Sequence, residues 1–250
     1  MTADIRRFAE IDSTNEEARR LGDAGTEGPV WIVAERQTAG RGRRGRAWES
    51  PSGNFMGTLY LTPRCGPREA GELSFVAAIA VHDAVVSLLP PPLRPALRLK
   101  WPNDLLHGRA KLAGILLESS GVAGAEVAWV AIGMGLNLAT HPEGMEYPAT
   151  SLAAMGAGPV TPEDALAALD SSFTRWLGVW RGQHGFAAIR EEWLKRAEGI
   201  GGAITVRLST ETLEGTFEGL APDGALQLRL ADGERRLVSA GDVFFAVPAR

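Results

Sequence analysis

Apolar positions recur at helical spacing in some stretches of this chain and gather into short β-rich runs in others. The longest helical stretch is Glu69–Leu89, which Pro90-Pro91-Pro92 must stop, because proline removes a donor and clashes with the preceding turn. Thr161-Pro162-Glu163-Asp164 opens a second helix with proline at its first position. Leu166, Leu169, Phe173, Trp176 and Leu177 then fall at helical spacing, a core stripe. A third helix carries Phe186, Ile189 and Trp193 on one face. Ser13-Thr14-Asn15-Glu16 reads as a capping box, Ser13 capping and Glu16 reaching back, for a helix ending near Leu21. Val30–Glu35, Phe55–Thr62, Leu97–Trp101, Ala110–Glu118 and Glu126–Ile132 read as strands, and Leu105-Leu106 with the tight His107-Gly108-Arg109 connection predicts a hairpin. Beyond the glycine-rich Gly199–Gly202 the texture changes. Ala203–Leu208, Leu213–Glu218, Leu226–Leu230 and Val243–Val247 are short strands broken by Pro222-Asp223-Gly224 and Asp232-Gly233. They predict a small β-barrel, with a domain boundary near Gly201 that separates residues 1–200 from 201–250.

Composition narrows the class without choosing a function. The 250 residues are 45% hydrophobic and 22% charged, ordinary for a globular protein. The pattern offers no apolar run of membrane-spanning length, and Met1–Asp12 is charged throughout with no apolar signal core, so a cytoplasmic protein with no membrane partner is expected. The single cysteine, Cys65, forms no internal disulfide. His82, His107, His141 and His184 are scattered and make no zinc signature. A net charge of −4 argues against a polycation built for nucleic acid, yet positive charge is concentrated locally. Gly40–Arg46 consists of four arginines and three glycines.

Gly40, Gly42 and Gly45 formally satisfy the dinucleotide fingerprint, but its context fails. Trp48-Glu49-Ser50-Pro51-Ser52-Gly53 cannot form the required helix, and Asn54–Arg68 contains no acidic residue for a ribose. The loop makes better sense as an anion cradle, since glycine permits close backbone approach and guanidinium offers forked donors. A solvated basic loop or an RNA-contacting Arg-Gly segment reads about equally well from this loop alone. No acidic residue lies between Glu35 and Glu49 to neutralise the arginines, so the loop is expected to be mobile until an anion orders it.

Lys100-Trp101-Pro102-Asn103-Asp104, followed by Lys111-Leu112-Ala113-Gly114-Ile115, shifts the balance toward chemistry. An Asn-Asp pair at a strand end can hold Mg²⁺ through oxygen, and Lys111 at a strand start can reach a phosphate. Taken singly, Asn103-Asp104 is more often a plain turn and Lys111 a surface charge.

These segments together resemble the biotin–protein ligase family, in residues, order and spacing. The resemblance runs through Ile11-Asp12-Ser13-Thr14-Asn15, Gln37 to Trp48, Lys100 to Asp104 and Lys111 to Glu118, with Gly133-Met134-Gly135-Leu136-Asn137-Leu138 similar to a later glycine–asparagine segment. It implies an α+β fold: a mixed sheet flanked by helices, like that of class II aminoacyl-tRNA synthetases, over residues 1–200, and an SH3-like barrel over 201–250. By the same resemblance Ser13, Thr14, Asn15 and Gln37 hold the biotin head group, while Gly40, Arg41, Gly42 and Arg43 close over biotin and its adenylate. Lys111, beside Gly114, meets the reacting carboxylate and α-phosphate, and Lys111 and Arg43 are the catalytic candidates. Trp48, Asn103, Asp104 and Asn137 belong to the nucleotide end, with Asp104 the single candidate ligand for a Mg²⁺ held mainly by phosphates. Implied substrates and partners are biotin, ATP and a biotin carboxyl carrier protein or domain. No DNA partner is expected, because Ile11 leaves no room for a preceding helix-turn-helix, and a weak homodimer stays open. Asn54 to Leu61 departs from the family pattern in being longer between its Asn and Leu-Tyr. The alternatives are a lipoate–protein ligase, which the full arginine loop disfavours, and an RNA-binding module, which leaves Lys111 and Asn103-Asp104 without a role.

Overall fold

The structure is a computed structural model that describes residues 2–49, 51–120, 126–144 and 147–245. The chain runs β1 (Asp4–Ile11), α1 (Thr14–Asp23), β2 (Val30–Gln37), β3 (Phe55–Leu61), α2 (Pro67–Leu88), β4 (Leu97–Lys100), β5 (Asp104–His107), β6 (Ala110–Ser119) and β7 (Val130–Leu136). It continues through α3 (Pro162–Trp180), α4 (Gly185–Arg196), β8 (Ala203–Arg207), β9 (Thr212–Leu220), β10 (Leu226–Arg229), β11 (Arg235–Val238) and β12 (Asp242–Phe245). Among the described residues these strands form two sheets. One is seven-stranded, in the order β1-β2-β3-β7-β6-β5-β4; the other is five-stranded, in the order β11-β10-β9-β8-β12. The first is mixed, because β1 runs parallel to β2 while the remaining neighbours pair antiparallel.

Strand alternation sends side chains to two different layers. Val30 and Ile32 of β2, Tyr60 of β3 and Ala131 of β7 meet Ala18 and Leu21 of α1. Trp31, Leu59, Leu61, Val130 and Ile132 face the other way, into the core shared with α2 and α3. By length and composition α2 could cross a membrane, with a mean hydropathy of 1.5 over its apolar window, which corrects the sequence reading that no such run exists. Here it is the central core helix. Leu73, Val76, Ile79 and Val81 are fully covered, each such burial contributing about 1.5–3 kcal/mol.

The second sheet shares that core. Phe75 of α2 packs edge-on against Phe186 and Trp193 of α4, with ring centroids 5.4 and 5.8 Å away. The turn before β10 fits against Phe75 at Gly224, where a Cβ would fall 2.6 Å from the ring and φ is +86°. Arg190 of α4 donates to the Leu220 carbonyl at 2.9 Å, and the Trp101 indole to that of Gly224 at 3.3 Å. The small sheet is therefore fixed against the large one.

Two strands go unannounced in the sequence, and two local expectations need correction. Asp4–Ile11 is a strand although nothing in its pattern announced one: most of its residues are exposed, and it is held by pairing with β2. Arg235–Val238, also largely exposed, was missed for the same reason. The strand expected at Glu126–Ile132 lies instead at Val130–Leu136, because Gly133 and Gly135 look like strand breakers in sequence but occupy strand positions that need no side chain. The capping box at Ser13 does not form. The Ser13 side chain makes no cap hydrogen bond, and Glu16 turns to Arg19 and Arg41 instead. Asp12 accepts the Ser13 N–H at 2.7 Å, and the Arg20 hydrogen bond holds the Asp12 carboxyl at about 2, below the usual range. The end of the last expected strand, Ala246 and Val247, lies outside the described residues.

Asn54 ties the start of β3 to the chain leaving β7. Its Oδ1 accepts the N–H groups of Leu138, Ala139 and Thr140 at 2.9, 3.0 and 3.1 Å. The strand beyond it pairs without a register shift, Phe55 opposite Leu136 through Leu61 opposite Val130. Asn54→Ala should lower stability by about 2–4 kcal/mol, since a buried donor left unsatisfied costs about 1–3 kcal/mol and the outer N–H groups can turn to water. Urea unfolding with an unchanged m-value checks this; a loss under about 0.5 kcal/mol would mean that the acceptor is dispensable.

Candidate active site

A cavity of about 500 Å³ opens on the α1 side of the large sheet. The N-terminal turn of α1, the Gly40–Trp48 loop, the β5–β6 hairpin, the segment around Tyr147 and the first residues of β12 surround it. Its floor is made of glycines. A Cβ on Gly133 would fall 2.3 Å from Asn15 Oδ1, and one on Gly135 would fall 2.2 Å from the Trp48 indole. One on Gly114 would stand 3.0 Å from Trp48 and 3.2 Å from Lys111. Bare backbone at these positions lets Asn15, Trp48 and Lys111 lie on the sheet.

One end of the cavity is an uncharged hydrogen-bonding network. The Thr14 N–H donates to Gln37 Oε1 at 2.8 Å, and the Thr14 hydroxyl lies 3.1 Å from the same oxygen. Thr58, fully buried on β3, places its hydroxyl 2.8 Å from Thr14 Oγ1 and 2.6 Å from Asn15 Oδ1. Two hydroxyl protons serve these three side-chain contacts, so only two of the three are hydrogen bonds at any moment, and the Thr58 proton goes to Thr14 or to Asn15 but not to both. Asn15 Nδ2 is held in turn by Glu118 at 2.7 Å. Ser13, 3% exposed, also lines this end.

The other end is charged. At the β5–β6 turn the register shifts between Leu105 and Leu106, so Leu112 is an extra residue and Lys111 sits at the bulge. Lys111 is clamped by backbone bonds to Pro148 and Thr150, at 2.8 and 2.9 Å. The bulge re-aims its side chain toward the cavity, a common use of such an irregularity. Lys111 Nζ lies 2.7 Å from Asp104 Oδ1 and 5.5 Å from the Trp48 ring centroid. Lys100 stands opposite Asp104 across β4–β5, 3.9 Å from its other oxygen and 4.1 Å from the Tyr147 ring centroid. Burial pulls the Lys100 pKa down from the ordinary lysine value, opposed by the charge of Asp104. Asn103 Nδ2 donates to the Ile115 carbonyl at 2.6 Å, and Asn137 Nδ2 to that of Thr150 at 3.0 Å.

The arginine loop is a folded hairpin. Gly42 N–H donates to the Arg46 carbonyl at 2.7 Å and Trp48 N–H to the Gly40 carbonyl at 2.9 Å, with a 3₁₀ turn at Arg43–Gly45 between them. Arg44 is left-handed at φ 56°, an uncommon conformation for a side chain other than glycine. Arg41 pairs with Glu16 and lies 4.0 Å from Glu118. Arg43 Nη1 approaches Asn103 Oδ1 at 3.4 Å and the Gly241 carbonyl at 3.2 Å, and burial lowers its pKa against the opposing pull of Asp242. The premise that the arginines lack a counter-charge therefore holds only along the sequence: Glu16 and Asp242 supply it in space.

Of the residues singled out from sequence, Ser13, Thr14, Asn15, Gln37, Arg41, Gly42, Arg43, Trp48, Asn103, Asp104, Lys111, Gly114 and Asn137 all line this cavity. Gly40 does not; it closes the base of the loop through its carbonyl. Sequence reasoning gave no role to Thr58, Lys100, Arg46, Tyr147 or Asp242. Lys100 and Arg46 stood inside recognised segments and could have been found there. Thr58, Tyr147 and Asp242 carry no local signal.

Fold and cavity together define a class: a synthetase-like mixed sheet with an anion-reading cleft, completed by a small antiparallel sheet. Comparison with known proteins then becomes specific. The profile of the Biotin/lipoate A/B protein ligase family matches residues 8–137, and that of the Biotin protein ligase C terminal domain matches residues 199–246. A biotin–[acetyl-CoA-carboxylase] ligase of Paracoccus denitrificans is 45% identical over 95% of this chain and 99% of its own length. The biotin protein ligase of Aquifex aeolicus, solved with biotin and ATP, shares the fold at a TM-score of 0.82 and 23% identity, covering 97% of this chain and 99% of that one. That of Leishmania major, solved with biotinyl-5-AMP, has a TM-score of 0.68 at 25% identity over 96% of this chain and all of its own. The chain belongs to the biotin protein ligase family.

The glycine floor yields a stability test. Gly133→Ala should lower stability by about 1–3 kcal/mol, because the added methyl displaces Asn15 from its partners. In an Asn15→Ala background the loss should shrink, a coupling that a urea-denaturation double-mutant cycle reads directly. An undiminished loss there would show that Asn15 is not what the methyl meets.

Proposed function

We propose that this chain activates biotin with ATP to biotinyl-5′-AMP and transfers the biotinyl group to a lysine of a biotin carboxyl carrier protein or domain. One observation carries the reading: a single cavity joins an uncharged hydrogen-bonding end, at Thr14, Asn15 and Gln37, to a cationic end, at Arg43, Lys100 and Lys111. A ureido ring with an apolar tail and a carboxylate, placed against a triphosphate, needs both ends and needs them connected. Family membership, the Paracoccus relative and the fold shared with the Aquifex ligase support it.

In the first step a carboxylate oxygen of biotin forms a bond to the α-phosphorus and the bond to the β-phosphate oxygen breaks, releasing pyrophosphate. In the second the acceptor amine bonds to the acyl carbon, AMP leaves, and the amine gives up a proton. Ser13, Thr14, Asn15 and Gln37 are our choice for the head group, and Gly40 to Arg43 for the covering loop. Lys111 and Arg43 are the catalytic candidates. Their charges counter the one that builds on the phosphate oxygens, and fixed cations of this kind commonly supply the largest catalytic contribution. The Asp104 ion pair holds Lys111 at the cavity wall. Gly114 leaves room for that amine, while Trp48, Asn103, Asp104 and Asn137, which line the same cavity, are our choice for the nucleotide end.

Magnesium fits only as a companion of the triphosphate. Among the described residues no group of three or more His, Cys, Asp or Glu side chains could hold a metal ion. Asp104 offers one carboxylate, while Asp242 is engaged by arginines. Asp104 would touch a Mg²⁺ held otherwise by phosphate and water, which is this ion's usual habit with nucleotides. We place the reaction in the cytoplasm, where ATP is available and a lone thiol such as Cys65 stays reduced.

Biotin-dependent ATP–pyrophosphate exchange tests the first step, with lipoate run beside biotin. Exchange with biotin and none with lipoate is expected; the reverse would make the chain a lipoate ligase. Lys111→Ala should slow single-turnover formation of biotinyl-AMP by ~10²–10³ while biotin binding changes far less. An unchanged rate would remove Lys111 from the chemistry.

A further inference from the structure

We infer that Thr58 and Glu118, neither of which lines the cavity, are positioning residues for its uncharged end. Acting through Asn15, they fix the direction of the hydrogen-bond chain there, so that Thr14 meets a ligand as an acceptor and selects one that brings an N–H.

The direction starts from a charge. Glu118 Oε2 stands 2.7 Å from Asn15 Nδ2, and the Leu116 carbonyl 3.4 Å from the same nitrogen. Both are acceptors, and turning the amide over would set its oxygen against a carboxylate. Asn15 Nδ2 therefore stays toward β6 and Oδ1 toward β3, 2.6 Å from the Thr58 hydroxyl. An amide oxygen can only accept, so Thr58 donates to it. With its one proton used, Thr58 Oγ1 faces Thr14 Oγ1, 2.8 Å away, as an acceptor. Two acceptor oxygens would repel at that distance, so Thr14 points its proton at Thr58. Gln37 does not need that proton. Its Oε1 already receives the Thr14 N–H at 2.8 Å, and the Thr14 hydroxyl lies farther off, at 3.1 Å. With the proton turned inward, Thr14 Oγ1 has only lone pairs to offer the cavity that Thr14 lines.

Each link sits on regular structure. Thr14 and Asn15 open α1, and Thr58 lies in β3 opposite Gly133 of β7, whose missing Cβ leaves the space that Asn15 Oδ1 occupies. Thr58 is 0%, Thr14 4% and Asn15 5% exposed, so water does not substitute for a link. A buried chain of this kind keeps one polarity because each bond strengthens the next. The identity of the ligand rests on the ligase reading, on which the N–H belongs to the ureido ring of biotin. The dithiolane ring of lipoate has no N–H to give, so the same wiring disfavours it.

Calorimetric titration of the full-length protein tests this with biotin and with an analogue whose two ureido nitrogens are replaced by oxygen, a cyclic carbonate. Thr58→Val keeps the side-chain shape and removes the hydroxyl. It should weaken biotin about tenfold, the worth of one hydrogen bond in a buried chain, and leave the affinity for the carbonate unchanged. Thr58→Ser should restore biotin binding. In a Thr14→Ala background Thr58→Val should weaken biotin no further. Equal weakening of both ligands, or an undiminished loss without the Thr14 hydroxyl, would overturn the inference, since a merely structural role predicts both. Without any ligand, Thr58→Val and Glu118→Gln should each lower the urea midpoint, and together by clearly less than the sum, because both cut one chain. Additive shifts would also overturn it. A wild type that binds no biotin would count against the ligase reading, while the urea cycle would still decide whether Glu118 and Thr58 act as one chain.

Discussion

The arrangement of this molecule turns on crowding cations around one cavity. Arg41, Arg43, Arg46, Lys100 and Lys111 all line it. Two unit charges 4 Å apart interact by about 4 kcal/mol at the effective dielectric of a protein surface, so such a cluster would push itself apart if left alone. Carboxylates from separate parts of the chain prevent that. Glu16 on α1 takes Arg41, Asp104 on β5 takes Lys111 and stands near Lys100, and Asp242 on β12 takes the loop arginines. Each acid arrives on a regular element, so the charge balance is only as good as the packing that sets those elements against one another.

That packing explains why the small C-terminal sheet does not hang free. Its inner residues Ile204, Val206, Phe217 and Leu226 belong to the same buried cluster as Phe75 of α2 and Trp193 of α4. Hydrogen bonds from Arg190 and Trp101 to the Leu220 and Gly224 carbonyls fix its orientation. A carboxylate that must meet three guanidinium groups cannot ride on a mobile module. The core beneath β12 thus serves the site as directly as the residues that line it.

How much of this was legible in the sequence depends on the range of the interaction. The helices α2, α3 and α4 announce themselves by apolar spacing, because each buries one stripe. The strands β2, β3, β4 and β6 do so by β-rich runs. The segments carrying Gln37, Arg43, Asp104 and Lys111 were legible because each stretch that reaches the cavity is contiguous. What failed was whatever depends on a distant partner. β1 and β11 expose most of their side chains, and strand pairing leaves no trace in hydropathy. The expected strand stopped short of Gly133 and Gly135 because the side chains that need their missing Cβ atoms, Asn15 and Trp48, lie some ninety to a hundred and twenty positions away. Thr58 was one β-former in a strand, with nothing to mark its hydroxyl as the link between Thr14 and Asn15.

The capping box at Ser13 shows the same principle in reverse. The local signal was sound: a serine three residues before a glutamate at a helix start. Two arginines outcompeted it, because a carboxylate gains more from guanidinium than from one backbone N–H. Asp12 took the Ser13 N–H, so the helix start lost little. What the exchange gains is a serine, a threonine and an asparagine at the mouth of α1 whose side chains line the cavity rather than all serving their own helix. Arg41 is brought to the same helix turn by Glu16, which ties the entry of the arginine loop to the uncharged end of the cavity, just as Asp242 ties its tip to the charged end.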